Sequence, residues 1–317
     1  MTLAELIDAG AAFDAEYAGG LSNHRPMALL ALARLGASEA RLTAFAQSYS
    51  RRLQPAPPPT PWPAGEAWAS RLGERGAWPA YRSLFGEWLQ HEHSSDVLQQ
   101  ALPRLMQGCG AAAFHGLIRT AYALQSARRQ ELADALAYWA CRWLDLGVWK
   151  GAGTVTEPET VLRQLRAVQS DSDRIGQRMK AAAAAPHFQA TVARLRVTDS
   201  LLPQLAALAA KAHAASGNFT ALHLVTSAHA MRVLLPCVDD PLPALRGYWR
   251  AFAAAVCASG MTVGTAPAPK PKPWPELVAA ALASDDEHVI KLVDSCREED
   301  RAHSGAGPWQ QAATRAL

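Results

Sequence analysis

From Asn218 to Arg232 the chain reads Asn-Phe-Thr-Ala-Leu-His-Leu-Val-Thr-Ser-Ala-His-Ala-Met-Arg. Leu222, Leu224, Val225, Met231, Leu234 and Leu235 recur at helical spacing, which predicts a buried helix. Asn218 or Thr220 caps its start, and Pro236 stops its end. Burial constrains the two histidines it carries. A buried imidazole needs a partner for each ring nitrogen, either a hydrogen-bonding group or a metal ion. Whether other histidines in apolar settings converge on this helix is therefore the question that decides function.

Helical patterning dominates the rest. No stretch alternates with period two for long enough to predict a strand. Residues 2–17 read as a short amphipathic helix ended by Gly19 and Gly20. Pro26 suits the first turn of a helix that runs to about Leu35, with Gly36 after it, and Ser38 caps another to about residue 52. Further helical patterns cover about 96–106, 111–127, 129–147, 158–181, 187–214, 219–235, 241–259, 274–283 and 285–300. Residues 53–64 hold too many prolines for helix or central strand, because proline fixes φ and lacks the N–H. A second Pro/Lys loop spans 265–275. The expected fold class is all-α, with little or no sheet: one multi-helix domain over 1–303, built as a layered helical bundle, and a tail over 304–317 that frays.

Composition excludes several functions. Half of the 317 residues are hydrophobic, enough for a large core, and the formal charge is only +3. Basic residues are scattered among acids, so no nucleic-acid partner is expected. No apolar run approaches the roughly 18 residues of a membrane span, and no membrane partner is expected. Five cysteines without a CxxC pair read as reduced, buried small hydrophobes of a cytoplasmic protein. Glu5, Asp8 and Asp14 interrupt the N-terminal apolar pattern, unlike a secretory signal. The oligomeric state is left open.

Of ten histidines, His91, His93, His187, His213 and His303 lie among polar residues or beside loops and read as exposed. His24, His115, His223, His229 and His288 stand in apolar surroundings. His223 and His229 are six apart, about 240° around a helix, so a straight helix aims only one of them at a given point, and His223 is favoured. His288 and Lys291 share one helix face. Taken singly, each histidine is a satisfied core residue and Lys291 a solvated partner of Glu287 or Asp294. No HxxxH or HExxH spacing argues otherwise.

Five motifs in order change that reading. They are Ser22-Asn23-His24-Arg25-Pro26-Met27-Ala28; Leu102-Pro103 through Ala113-Phe114-His115-Gly116-Leu117-Ile118-Arg119; Glu131 to Ala140; Phe219-Thr220-Ala221-Leu222-His223 through His229; and Asp286-Glu287-His288-Val289-Ile290-Lys291-Leu292. Over roughly residues 10–300 the chain resembles the questin oxidase-like family. Its fungal members open rings of anthraquinones and related polyketides, and a ring-cleaving relative is understood to hold non-haem iron with histidines and a carboxylated lysine. The resemblance implies His24, His115 and His223 as catalytic metal ligands, His288 as the fourth with His229 its competitor, and Lys291 as the carbamate. Dioxygen is the implied co-substrate and a small aromatic or quinone the implied partner.

An apolar pocket would keep the Lys291 amine neutral and able to take up carbon dioxide, and imidazoles with an oxygen anion suit iron(II). Asn23, Asp286, Glu287 and Thr226 are candidates to orient the ligands. Arg119, Tyr122 and Arg232 are candidates to line the substrate pocket, with Tyr138, Trp139 and Trp143 a flat wall or, more simply, core. No glycine-rich nucleotide turn supports a flavin or NADPH. The alternatives are a helical small-molecule binding protein without catalysis, or a hydrolase on the same metal.

Overall fold

The computed structural model describes residues 1–317 apart from 152, 169, 171 and 262–266. Sixteen α-helices are present among the described residues: α1 (Leu3–Asp8), α2 (Arg25–Leu35), α3 (Glu39–Ser50), α4 (Trp78–His91), α5 (Ser94–Leu105), α6 (His115–Ser126), α7 (Arg129–Arg142), α8 (Pro158–Leu162), α9 (Ile175–Ala184), α10 (Phe188–Val192), α11 (Leu201–Ser216), α12 (Phe219–Leu234), α13 (Pro241–Ser259), α14 (Trp274–Ala283), α15 (Glu287–Ala302) and α16 (Trp309–Arg315). The all-α class stands. The sheet is one antiparallel pair, β1 (Glu16–Tyr17) and β2 (Leu21–Ser22), with Glu16 opposite Ser22 and Tyr17 opposite Leu21.

Four helices form the centre. α2 packs on α6, α6 on α12, α12 on α15 and α15 back on α2. The segments between them fold into outer helices, with α7 against α6, α11 against α12, and α16 against α11 and α15. One buried hydrophobic cluster runs through all of them, from Leu6 to Ala313. Two layers of side chains cross the ring. One joins His24, His115, His223 and His288, which stand at or near the first residues of the four helices. The other joins Arg34, Tyr122, His229, Asp294 and Glu299, each roughly 9–17 Å further along its helix at 1.5 Å per residue. The four helices therefore run in the same direction, with their N-termini at one end.

Local chemistry explains the element ends. Pro26 opens α2, and Gly36 closes it at φ 101°. Asn218 Oδ1 accepts from the N–H groups of Thr220 and Ala221, so Asn218 is the cap of α12. α6 and α7 approach closely because Gly116 has no Cβ; one placed there would lie 2.8 Å from the Trp139 ring.

Several expectations are corrected. The helix expected over 2–17 stops at Asp8, passes through a 3-10 turn to Ala12, and gives way to the β hairpin, whose turn holds Gly19 and Gly20. The segment 158–181 is helical only over α8 and the first part of α9, and 187–214 breaks between Val192 and Leu201. The helix expected from 111 begins at His115, because Ala112, Ala113 and Phe114 all have positive φ. Within the tail expected to fray, Trp309–Arg315 forms α16, with Trp309 1% exposed. The start of the second proline loop, 265–266, lies outside the described residues.

Candidate metal centre

His24 is the N-cap residue of α2, and no side chain caps that helix. Its backbone N–H donates to Tyr49 Oη at 3.2 Å, and Asn23 Oδ1 accepts from the Arg25 N–H, so the turn carrying the ring is tied on both sides. His115 is the first residue of α6. It follows three consecutive left-handed non-glycine residues, an arrangement that costs roughly 1–2 kcal/mol per residue. The strain has a geometric product. The Ala112 carbonyl turns back and accepts from His115 Nδ1 at 2.5 Å, which leaves Nε2 unprotonated, with its lone pair turned into the cluster. His223 repeats the device inside α12: Nδ1–H donates to the Phe219 carbonyl at 2.8 Å, and the buried Nε2 has no protein partner.

These nitrogens meet. His24 Nε2 and His115 Nε2 are 2.7 Å apart, with the rings stacked at 4.5 Å. The His288 ring lies 4.7 Å from His24 and 5.6 Å from His223, and His223 lies 4.8 Å from His115. One ligand atom each from His24, His115 and His288 falls within 4.8 Å of the others. Lys291, one helical turn beyond Glu287, is 1% exposed.

The electrostatics favour neutral donors. Burial drives the His24 and His115 rings well below the ordinary imidazole range and His223 down to about 3, each helped by its neighbours. Burial also brings the Lys291 ammonium down to about 8, against the pull of Glu287 and Asp286. Glu287 sits 3.6 Å from His24 Nδ1 through one oxygen and 3.6 Å from Arg52 through the other. Asp286 caps α15 and lies 3.4 Å from His288 Nδ1.

A metal ion fits the donor set of His24, His115 and His288. Two nitrogens each about 2.1 Å from one ion at right angles are about 3 Å apart, close to the His24–His115 separation. His223 Nε2 is an orphan that an ion would satisfy. Nδ1 bonds to the backbone leave Nε2 free, as metal-bound histidines require.

The structure brings ligand atoms of His24, His115 and His288 within 4.8 Å of one another and packs the His223 ring against those of His115 and His288; Lys291 is buried one turn along the helix that carries His288, and His229 is placed elsewhere. His229 Nδ1 pairs with Glu299 at 2.9 Å, and its Nε2 faces Arg34 at 3.5 Å. The three residues expected to line a substrate pocket are engaged by carboxylates instead, Arg119 and Tyr122 buried and Arg232 partly exposed. Arg119 makes a buried two-pronged pair with Glu131 at 2.7 and 2.9 Å. Tyr122 donates to Asp294, and Arg232 pairs with Glu299. Trp139 and Tyr138 are core. Of the candidates to orient the ligands, Asp286 and Glu287 face the rings, whereas Asn23 and Thr226 bond to backbone. An open depression of about 350 Å³ beside the hairpin, lined in part by Glu16, Tyr17, Arg75 and Tyr138, includes none of the clustered histidines.

Sequence reasoning missed three contributors. Tyr49 holds the His24 backbone. His213, expected to be exposed, is 2% exposed with its Nε2 unpartnered, and its position at the C-terminus of α11, next to Gly217, hid that burial. Phe219 stands edge-on to His223 at 4.6 Å and to His288 at 4.9 Å; its place directly after the Asn218 cap was the available signal. All five cysteines are free, four of them buried. Among the described residues no helix is long and apolar enough to cross a membrane.

A family model described as questin oxidase-like matches residues 21–296, a span that contains every clustered residue. No curated protein gives a significant match.

Proposed function

Since this chain belongs to the questin oxidase-like family, whose description is that of an oxidase, we propose that it is a metal-dependent oxidoreductase that uses dioxygen to oxidise or cleave a ring of an aromatic or polyketide-like quinone. His24, His115, His223 and His288 would hold the ion, with Lys291 as a further donor. Non-haem iron bound there would supply a redox-active Lewis acid with a position open to dioxygen. The chain itself supplies the rest. The Ala112 and Phe219 carbonyls hold the His115 and His223 rings in one tautomer and aim Nε2 inward. Burial excludes water from His24, His115 and His223. The Lys291 amine, desolvated, can form an N–C bond to carbon dioxide and release one proton, which yields an anionic oxygen donor. The positive ends of four helices favour that anion over the ammonium.

The observation that carries the reading is the meeting of His24, His115 and His223 from three distant segments, with the His24 and His115 Nε2 atoms 2.7 Å apart and the His223 Nε2 without a protein partner. Side chains pointing apart would have favoured a binding protein without chemistry. Metal analysis of the purified protein tests the reading, with iron near one per chain expected and a strong loss in His115→Ala. An oxygen electrode with a hydroxyanthraquinone separates an oxidase from a hydrolase. Protein free of transition metal, or loaded protein that never consumes oxygen with such substrates, would sink the proposal.

A further inference from the structure

Phe219 is the first residue of α12 and is 51% exposed. The first turn of a helix favours proline, acids and small polar residues, and a half-exposed phenyl gains nothing there from propensity or burial. Its inner edge nevertheless meets two imidazoles of the centre, His223 at 4.6 Å and His288 at 4.9 Å, in edge-to-face geometry. Within the cluster, His223 and Lys291 are each 1% exposed and His24 is 4% exposed. The His288 side chain keeps 20% exposure. The least covered part of the cluster thus lies where Phe219 and His288 meet.

We propose that Phe219 is the substrate-docking plate of the centre: its solvent-facing side takes the flat ring of an aromatic substrate and sets that ring beside His288, whose side chain keeps 20% exposure. This rests on the reading of the site as an aromatic-ring oxidase. The chemistry favours a planar π-system over an aliphatic ligand, because a phenyl face left in water recovers both area and quadrupole energy only against another ring. The same residue separates two jobs. Its carbonyl orients His223 and is retained in every variant, whereas its side chain is free to recognise substrate.

The test uses the purified full-length chain and anthraquinone sulfonate, a planar probe without chelating oxygens, titrated by fluorescence quenching. Metal content and circular dichroism are measured on each variant. Phe219→Ala should weaken the probe Kd by about five- to tenfold or more, the range expected for one aromatic pair. Phe219→Leu, which keeps bulk without the π-face, should weaken it too, and Phe219→Trp should stay within about twofold. Metal content should be the same in all four proteins. A wild-type protein that does not bind the probe overturns the proposal, and so does equal binding by Phe219→Ala or Phe219→Leu. Loss of metal in Phe219→Ala and Phe219→Leu with probe binding intact assigns the ring to packing the ligands and overturns it as well. Oxygen uptake is read separately: Phe219-dependent binding without transition metal or oxygen consumption refutes the oxidase reading and leaves the docking plate standing.

Discussion

Acid should unfold the metal-free protein before its carboxylates titrate. His24, His115 and His223 are each no more than 7% exposed, and burial depresses all three, His223 from 6.5 to about 3. A base whose folded pKa lies below its unfolded value is protonated first in the unfolded chain. Its stabilising contribution is complete above the unfolded value, about 6.5, and declines as pH falls towards the folded one. At pH 5, about 1.5 units below the unfolded value, each ring has cost about 2 kcal/mol, at 1.36 kcal/mol per unit. Three rings cost about 6 kcal/mol, a large part of the 5–15 kcal/mol that holds a typical domain. His213, also lowered by burial, adds with the same sign. Buried Glu131 and Asp294 have raised values and act in the opposite direction: each takes up its proton first in the folded chain, so its offset grows as pH falls through the raised folded value and is complete below the ordinary carboxylate range. The assay is urea unfolding at fixed pH from 7.5 to 5 in the presence of chelator. The unfolding free energy should approach a slope of about 4 kcal/mol per pH unit at the acid end, and His223→Asn should lower that slope by about a third. A flat profile, or a His223→Asn slope equal to wild type, would show that these rings are not buried as neutral bases.

Three other outcomes follow from single contacts. Ala113 sits at φ 55°, so Ala113→Gly should raise stability by about 0.5–1 kcal/mol, read as a higher Tm with metal content unchanged. Gly116→Ala would place a Cβ 2.8 Å from the Trp139 ring and 2.9 Å from the Trp139 backbone, and should cost about 1–3 kcal/mol and reduce metal loading by displacing His115; a variant with wild-type Tm and full loading refutes that packing. Glu131→Gln leaves the buried Arg119 guanidinium without a counter-charge and should destabilise by about 3–5 kcal/mol, whereas joint replacement by Arg119→Met and Glu131→Leu should recover most of that, as measured by urea midpoints.

The fold class was readable because most helices here carry their own ends. Pro26 and Gly36 bound α2, Ser38 caps α3, and Asn218 and Pro236 bracket α12. The failures occurred where no local rule applies. Ala112, Ala113 and Phe114 have residue types that favour α or β backbone, yet tertiary packing holds all three left-handed, so α6 starts later than its sequence suggests. Trp309 docks into the core although glycines precede it. At the site, helix geometry alone indicated that His223 and His229 would not both face one point, but not which of the two would face it. What the sequence could not express was partnership. Arg119, Tyr122 and Arg232 look like free polar groups along the chain, but their carboxylate partners are 12, 172 and 67 residues away. Each such contact satisfies the polar group, and for Arg119 and Glu131 it also buries both charges.

The direction of the four central helices ties architecture to chemistry. Neighbouring helices joined by short turns run antiparallel and alternate positive and negative ends at each face of a bundle. α2, α6, α12 and α15 instead begin at the same end, which requires every connection to return the full length of the ring. That requirement accounts for the outer helices and for much of the chain length. It also gathers four N-termini, each equivalent to roughly +0.5 charge, around His24, His115, His223 and His288. Two of these termini, those of α2 and α6, have no side-chain cap, and the other two are capped by Asn218 and Asp286. Such an end opposes imidazolium and ammonium and favours anions, in the same direction as the burial that lowers Lys291 and three of the histidines. Asp286 and Glu287 supply the only carboxylates in direct contact with the rings among the described residues, and they do so from the edge where His288 and Arg52 reach solvent. Neutral nitrogen donors inside, positive helix ends behind them and negative charge confined to the rim make a site that retains electron-pair donors and disfavours protons.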